Sequence, residues 1–312
     1  MYQEITLQLA THCTLHCPYC FADTEEKNFI SEEDFEYFEN FCKRNRPDCI
    51  HITGGEPTVH PKFADIINRL SNIAPLVIYS NLTVQYCIDK LNVINPKDVV
   101  FLANLNERNC YTQSQWETFE DNIAKIKIKK MRLAIGHTFY REPFIPDLEE
   151  AISFIKYNNI DRFRMSQAME SSGGSPGLRP KQIYELYSIV AEHIEEWRKW
   201  GIKAYFDCPV PACYIGEQTF NKLRRLDAIS IKCLPKAFVL WDLSVTHCYS
   251  MINLGKKIYL WDFDSLQDVI KNSDLLVKNN YVKKDEKKCM SCVNNSAYIC
   301  GCPNYHSIKN VM

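Results

Sequence analysis

No stretch of this 312-residue chain is apolar for the roughly 18 residues that a membrane-spanning helix needs. No secretory signal opens it either: MYQEITLQLA carries an acid and alternates in polarity, whereas a signal peptide has a basic start and then an apolar run. Net charge is nearly missing, at −1, so nothing draws the whole protein to nucleic acid or an anionic membrane, and the basic stretch KIKIKK (125–130) reads as a solvated helix end. Tandem repeats and low-complexity runs are absent. With 46 % hydrophobic residues, the chain is not disordered and can bury the core of one large domain, or of a large and a small one. These exclusions leave an expected soluble, cytoplasmic protein with no membrane and no nucleic-acid partner.

Cysteine, in contrast, is plentiful. Fifteen cysteines in a protein expected in a reducing compartment point to metal binding or catalysis, not to a disulfide framework. Cys42, Cys49, Cys87 and Cys110 are scattered and read as small buried hydrophobes. Cys13, Cys17 and Cys20 share one short loop, THCTLHCPYC (11–20), and eight more fall in the final third: Cys208, Cys213, Cys233, Cys248, Cys289, Cys292, Cys300 and Cys302.

Periodicity through about residue 200 alternates strand-like runs (4–10, 49–53, 75–80, 98–105, 131–139 and 161–168) with helical ones (31–44, 62–72, 113–127, 147–159 and 180–201). Ser31 stands as an N-cap, with Asp34 three residues on. Six strands alternating with helices predict α/β architecture, a parallel sheet with right-handed crossovers. In such folds the reactive loops gather at the carboxyl ends of the strands. The cysteine loop follows the first strand and TGGEPT (53–58) follows the second, so both fall on one rim.

Three thiolates can hold a [4Fe–4S] cluster by three irons and leave the fourth open, whereas a zinc site needs a fourth ligand, which His12 or His16 could supply. Spacing alone favours iron–sulfur over zinc only modestly. However, CTLHCPYC fits a CxxxCxφC signature with Tyr19 as the aromatic, and GGEP follows at 54–57. Together these residues resemble the radical S-adenosylmethionine (SAM) superfamily over roughly residues 4–200. The resemblance implies a partial (β/α)6 TIM-like barrel, with SAM chelating the open iron through its amino and carboxylate groups. It further implies one-electron cleavage of SAM to methionine and a 5′-deoxyadenosyl radical, which abstracts hydrogen from the substrate. An electron donor such as flavodoxin or ferredoxin is then required. By the same analogy Gly54 and Gly55 let backbone approach a ligand, Glu56, followed by Pro57, brings a carboxylate near the SAM ammonium, and Tyr19 and Phe21 line the adenine pocket. Ser80, Asn81, Asn106, His137, Arg164 and Ser166, at later strand ends, are the further SAM contacts it suggests.

The tail CMSCVNNSAYICGCP places Cys289, Cys292, Cys300 and Cys302 close together and looks like the end of a SPASM domain, an extension that carries auxiliary clusters. Cys233 and Cys248 fall in that family's hairpin range, and Cys208 and Cys213 precede them. The match is imperfect: Leu243 stands where the hairpin has glycine, the tail spacers differ, and no cysteine follows Cys302. One auxiliary [4Fe–4S] cluster, as in the truncated twitch form, two clusters, or a zinc ribbon all remain open. The chain is accordingly divided into a radical SAM partial barrel (1–200) and a small cysteine-rich Fe–S domain (201–312).

SPASM-type enzymes most often mature ribosomally made peptides by crosslinking, epimerisation, oxidation or excision, which makes a peptide the leading substrate. A sugar, nucleoside or amino-acid derivative is the alternative, and a non-catalytic Fe–S or zinc scaffold is the alternative of another class. The first strand begins within about four residues of Met1 and ten residues follow Cys302. A peptide's leader is therefore expected to be held by a separate small protein or by the catalytic domain itself. Tyr140, Trp241 and Trp261 read first as core aromatics. No residue is assigned as hydrogen donor.

Overall fold

The computed structural model describes residues 3–280 apart from 21, 23–25, 170–176, 231–232, 234–235, 250–251 and 253–255, with side chains up to 276. The chain forms two compact units, one from the described residues of 1–17, 22–134 and 235–279, the other from those of 18–21 and 135–234.

The first unit opens with strand β1 (Glu4–Gln8), helix α1 (Glu32–Asn45), β2 (Cys49–Thr53), α2 (Phe63–Leu70), β3 (Leu76–Ser80), β4 (Val99–Asn104) and α3 (Gln113–Ile128). The four strands are parallel neighbours, with Ile5 opposite Ile50, Ile50 opposite Leu76 and Leu76 opposite Val99. Residues 5–8 of β1 are all buried, as in a sheet covered on both faces. Ile5, Leu7, Ile50, Ile52, Ile78 and Phe101 expose nothing. Helix α1 begins where the sequence signals it: the Ser31 side chain accepts from the Asp34 N–H at 3.0 Å, and three acids in the first turn complement the helix dipole. It buries Phe35, Phe38 and Phe41, each contributing about 1.5–3 kcal/mol relative to exposure. Arg69 of α2 ties the two helices together, binding Glu39 and stacking 4.5 Å over the Phe35 ring. The KIKIKK stretch lies at the end of α3, where Lys125 pairs with Asp89 and Asp121.

The boundary between the units falls within β5 (Arg132–Phe139). Then follow α4 (Phe144–Tyr157), β6 (Arg162–Gln167), α5 (Pro180–Lys199), β7 (Lys203–Phe206), α6 (Ala212–Ile215) and α7 (Glu217–Arg225). From Ile135 onward β5 runs parallel to β6, and β6 to β7. Tyr187 of α5 is fully buried, stacked 3.9 Å from Phe206 of β7. Finally β8 (Ala237–Val239), β9 (Ser244–Thr246), β10 (Ile258–Tyr259) and α8 (Leu266–Asn280) belong to the first unit. There β8 lies parallel to β1, with Leu7 opposite Val239, and β9 and β10 add antiparallel strands.

The fold is therefore α/β, of the partial (β/α)6 TIM-like class, and each of the six expected strands forms. The elements beyond residue 201 (β7, α6, α7, β8, β9, β10 and α8) were not read from periodicity. KAYF (β7) is too short for alternation to register, α7 carries one buried pair (Phe220, Leu223), and α6 spans a single turn. The described part of 201–280 is also more helical than its composition suggested, through α7 and α8. A cut at residue 200 does not follow the contacts, because the pairing of β8 with β1 returns 237–246 to the first unit. Trp261 is 49 % exposed and stacks on Tyr259, so it is a surface residue and not a core one. Among the described residues no helix is long and apolar enough to cross a membrane.

Candidate functional site

The cysteine loop leaves β1 at Leu9 and is built against the end of β2, backbone to backbone. The Gly55 N–H donates to the Ala10 carbonyl at 2.7 Å and the Glu56 N–H to the His12 carbonyl at 2.8 Å. A Cβ on Gly55 would stand 2.2 Å from the Thr11 carbonyl oxygen and 2.5 Å from that of His12; one on Gly54 would stand 2.8 Å from the Ala10 oxygen. These glycines thus admit the loop itself. Thr11 adds a second tether, its N–H reaching the Asn28 carbonyl at 3.0 Å and its hydroxyl accepting from the Asn28 N–H at 3.0 Å.

Glu56 is 1 % exposed and accepts four hydrogen bonds. Its Oε1 receives the Thr58 N–H (3.1 Å), the Thr58 hydroxyl (2.6 Å) and the Ser80 hydroxyl (2.7 Å), and its Oε2 receives the Asn81 N–H (2.7 Å). Burial pushes its carboxyl above the ordinary carboxylate value, and these four donors oppose that push. Pro57 is buried at the start of a single 3-10 turn, Pro57–Val59. Asn81 carries the connection onward: its side-chain Nδ2 donates to Cys13 Sγ at 3.5 Å and to the Thr14 hydroxyl at 3.0 Å. The Thr14 and Thr83 hydroxyls bond each other at 2.7 Å, and Gln115, in the capping box of α3, donates to the Thr14 carbonyl at 3.0 Å. Cys13, Glu56, Ser80 and Asn81, all expected site residues, are therefore brought together in the first unit. The sequence reading missed Thr14, Thr83 and Gln115, although Thr14 lies inside the cysteine signature and Asn81-Leu82-Thr83 has the composition of an Asx turn.

The other expected positions sit elsewhere. Asn106 is buried, its N–H and side chain both directed at the Tyr111 hydroxyl (3.0 and 3.3 Å), which donates to the Asn104 carbonyl. In the second unit, Arg164 forms an ion pair with Asp207, and Ser166 donates to the same carboxylate at 3.0 Å. Asp207 also accepts the Cys208 N–H at 2.7 Å. The expectation that Arg164 and Ser166 reach for a ligand missed this acceptor, which one sequence gives no means of pairing with them. His137 is buried beside Phe139, and Tyr19 packs on Tyr140 with ring centroids 5.5 Å apart.

The thiols divide by environment. Cys42 and Cys49 are buried, as expected of scattered cysteines, and burial pushes both thiols up, that of Cys49 to about 12. Cys87 and Cys110 are only half-buried. Cys13 and Cys17 are half-buried and Cys20 is exposed. Of the later cysteines, Cys208, Cys233 and Cys248 are half-buried and Cys213 is exposed, while Phe21, Cys289, Cys292, Cys300 and Cys302 lie outside the described residues.

A sequence profile described as the Radical SAM superfamily matches residues 7–166, which takes in the cysteine loop, the GGEP turn and strands β2 to β6. The chain belongs to the radical SAM superfamily. A curated relative, an S-adenosylmethionine-dependent nucleotide dehydratase of Selenomonas ruminantium, is 30 % identical over 69 residues, 22 % of this radical SAM chain and 25 % of the relative. Among solved structures, Streptococcus suis SuiB bound to S-adenosylmethionine superposes with a TM-score of 0.70 at 15 % identity, covering 94 % of this chain and 71 % of that one. SuiB bound to its precursor peptide SuiA gives 0.68 at 18 %, covering 94 % and 70 %. The enzyme anSMEcpe with bound AdoMet and the Cp18Cys peptide gives 0.62 at 14 %, covering 93 % and 86 %. At these identities the likeness is one of fold.

The family implies a [4Fe–4S] cluster and SAM. The donor chemistry fits: three thiols of one signature loop, none of them fully buried, are the soft ligands that iron–sulfur clusters take. Among the described residues no group of three or more His, Cys, Asp or Glu side chains is arranged to hold a single metal ion.

Proposed function

We propose that this radical SAM chain holds a [4Fe–4S] cluster through Cys13, Cys17 and Cys20, binds SAM at the open iron, and uses it to modify a ribosomally made peptide. The observation that carries the first part is the joining of its two signature motifs: TGGEP packs glycine backbone onto the cysteine loop and, through Glu56 and Asn81, reaches Cys13. When bound, cluster and SAM would supply one-electron radical chemistry for hydrogen abstraction from substrate carbon, with a reduced ferredoxin or flavodoxin as electron source. The chain's own part is to hold the loop, to keep water from the site and to position the target carbon. In this reading Glu56, with four donors already on it, braces the rim. Arg164 and Ser166 are held in place by Asp207.

A peptide substrate is favoured because SuiB and anSMEcpe, which share the fold, have each been solved with a peptide bound. The later cysteines are proposed to carry at least one auxiliary cluster that takes up the electron left on the substrate, giving a net oxidation. The Selenomonas relative supports a second reading, a nucleotide substrate.

The test is anaerobic reconstitution with iron and sulfide, followed by dithionite and SAM, with 5′-deoxyadenosine measured for wild type and for a C13A/C17A/C20A variant. Production by wild type alone is expected, with about four irons per auxiliary cluster left in the variant. Iron-loaded wild type that cleaves no SAM would overturn the reading. Mass analysis of a short peptide encoded beside the gene, against nucleotides as substrates, separates the two substrate classes.

A further inference from the structure

We infer that Asn81 sets the reduction potential of the cluster by donating its side-chain N–H to Cys13 Sγ, and that Glu56 is a positioning residue acting through Asn81. This rests on the reading above that Cys13 is a cluster ligand.

The orientation of the Asn81 amide follows from its partners. Its Oδ1 lies 3.1 Å from the Thr83 backbone nitrogen and 2.8 Å from the Thr83 hydroxyl. A backbone N–H can only donate, so the atom facing it is the oxygen, and the NH2 group is left facing Cys13 Sγ and Thr14. The backbone is pinned as firmly. Asn81 N–H is held by Glu56 Oε2, the Leu82 N–H donates to the Ser80 hydroxyl at 2.9 Å, and Leu82 takes a left-handed φ of 54° while fully buried. A leucine adopts that conformation only where its surroundings impose it. The turn after β3 therefore presents an amide donor at a fixed place beside one ligand sulfur.

Reduction adds one negative charge to a cluster, part of which resides on the ligating sulfurs. A donor aimed at such a sulfur stabilises the reduced form and raises the potential, as hydrogen bonds to cluster sulfurs do in general. Removing the donor shifts the balance toward the oxidised form, and replacing it with a carboxylate shifts it further.

The experiment is a redox titration followed by electron paramagnetic resonance, without SAM, on the signal present in wild type and absent from C13A/C17A/C20A. In Asn81→Ala the ratio of reduced to oxidised cluster at a given potential is expected to fall about tenfold, which for one electron is about 59 mV more negative. Asn81→Asp keeps the acceptor for Thr83 and should fall at least as far. Glu56→Gln should move in the same direction by less, whereas a Glu56 whose task is to contact SAM would leave the SAM-free value unchanged. Midpoints of both Asn81 variants that coincide with wild type would overturn the inference. Should those variants not assemble the cluster, wild type labelled with 15N in the asparagine side-chain amide answers the question: a 15N coupling on that signal is expected, and its absence overturns the proposal. If the triple variant keeps every signal, the assignment of the cluster to Cys13, Cys17 and Cys20 fails and takes this inference with it; coinciding midpoints sink the role of Asn81 alone.

Discussion

Replacing Gly55 by alanine adds one methyl group at the tightest backbone contact of the rim. Its Cβ would stand 2.2 Å from the Thr11 carbonyl oxygen, against a floor of 3.0 Å for real contacts, so the two backbones must part by about 0.8 Å. That movement takes the 2.7 and 2.8 Å hydrogen bonds of Gly55 and Glu56 to the loop out of range. Two lost bonds at about 0.5–1.5 kcal/mol each, with about 1–3 kcal/mol for overpacking, give a destabilisation of about 2–6 kcal/mol. Because the neighbours are backbone atoms, no rotamer change relieves the clash. Gly201 is the control: its φ of 84° strains any side chain, but an added Cβ meets nothing within 4 Å, so Gly201→Ala should cost about 1–2 kcal/mol without touching the loop. Urea unfolding and iron counting after reconstitution are to be run on both variants. Gly55→Ala is expected to lose stability and signature-loop iron together, Gly201→Ala stability alone. A Gly55→Ala protein as stable and as fully loaded as wild type would refute the reasoning.

Burial raises the Glu56 pKa, so its contribution to stability is fully present below the unfolded value of 4.5 and is lost as pH rises through the higher folded value. Glu56→Gln should lack that downward slope when urea midpoints are compared across pH, and identical slopes would contradict it. Asp207→Ala leaves the partly buried Arg164 without its carboxylate and Ser166 without its acceptor; a cost of about 1–3 kcal/mol in unfolding is expected, and equal stability would show the pair to be idle. In protein without clusters, alkylation followed by peptide mass analysis should label the exposed Cys20 and Cys213 first and the buried Cys42 and Cys49 last; early labelling of Cys42 would contradict its burial.

The sheet was legible because the short β-branched runs at 49–53 and 75–80 are bounded by turn residues and too short for helices, and α1 because Ser31 and Asp34 mark its start. Short elements were illegible for an equally physical reason: four residues of β7 give two periods of alternation, too few to stand out from chance. The pairing of β8 with β1 joins residues more than 200 positions apart, and no local pattern encodes such a partner. At the site, Cys13, Glu56, Ser80 and Asn81, grouped from the sequence, lie together in the structure. That Gly55 faces carbonyls of the loop and that Arg164 pairs with Asp207 was not legible, because both depend on distant chain that one sequence does not place.

What the rim shows is a division of labour between motif and support. A loop without regular structure has backbone groups that need partners, and residues 10–14 find theirs just past β2, on Asn28 and on Gln115 at the start of α3, while Asn81 past β3 holds the Thr14 hydroxyl. The segment bearing Cys13 is thus tied down by the fold's own hydrogen bonds, which lowers the ordering entropy that binding must overcome. Gly54 and Gly55 set how close the loop lies, Glu56 fixes the turn after β3, and that turn aims Asn81 at the sulfur. On this account the four-residue GGEP signature is a structural keystone first, and substitutions in it should weaken cluster assembly even where SAM is never added.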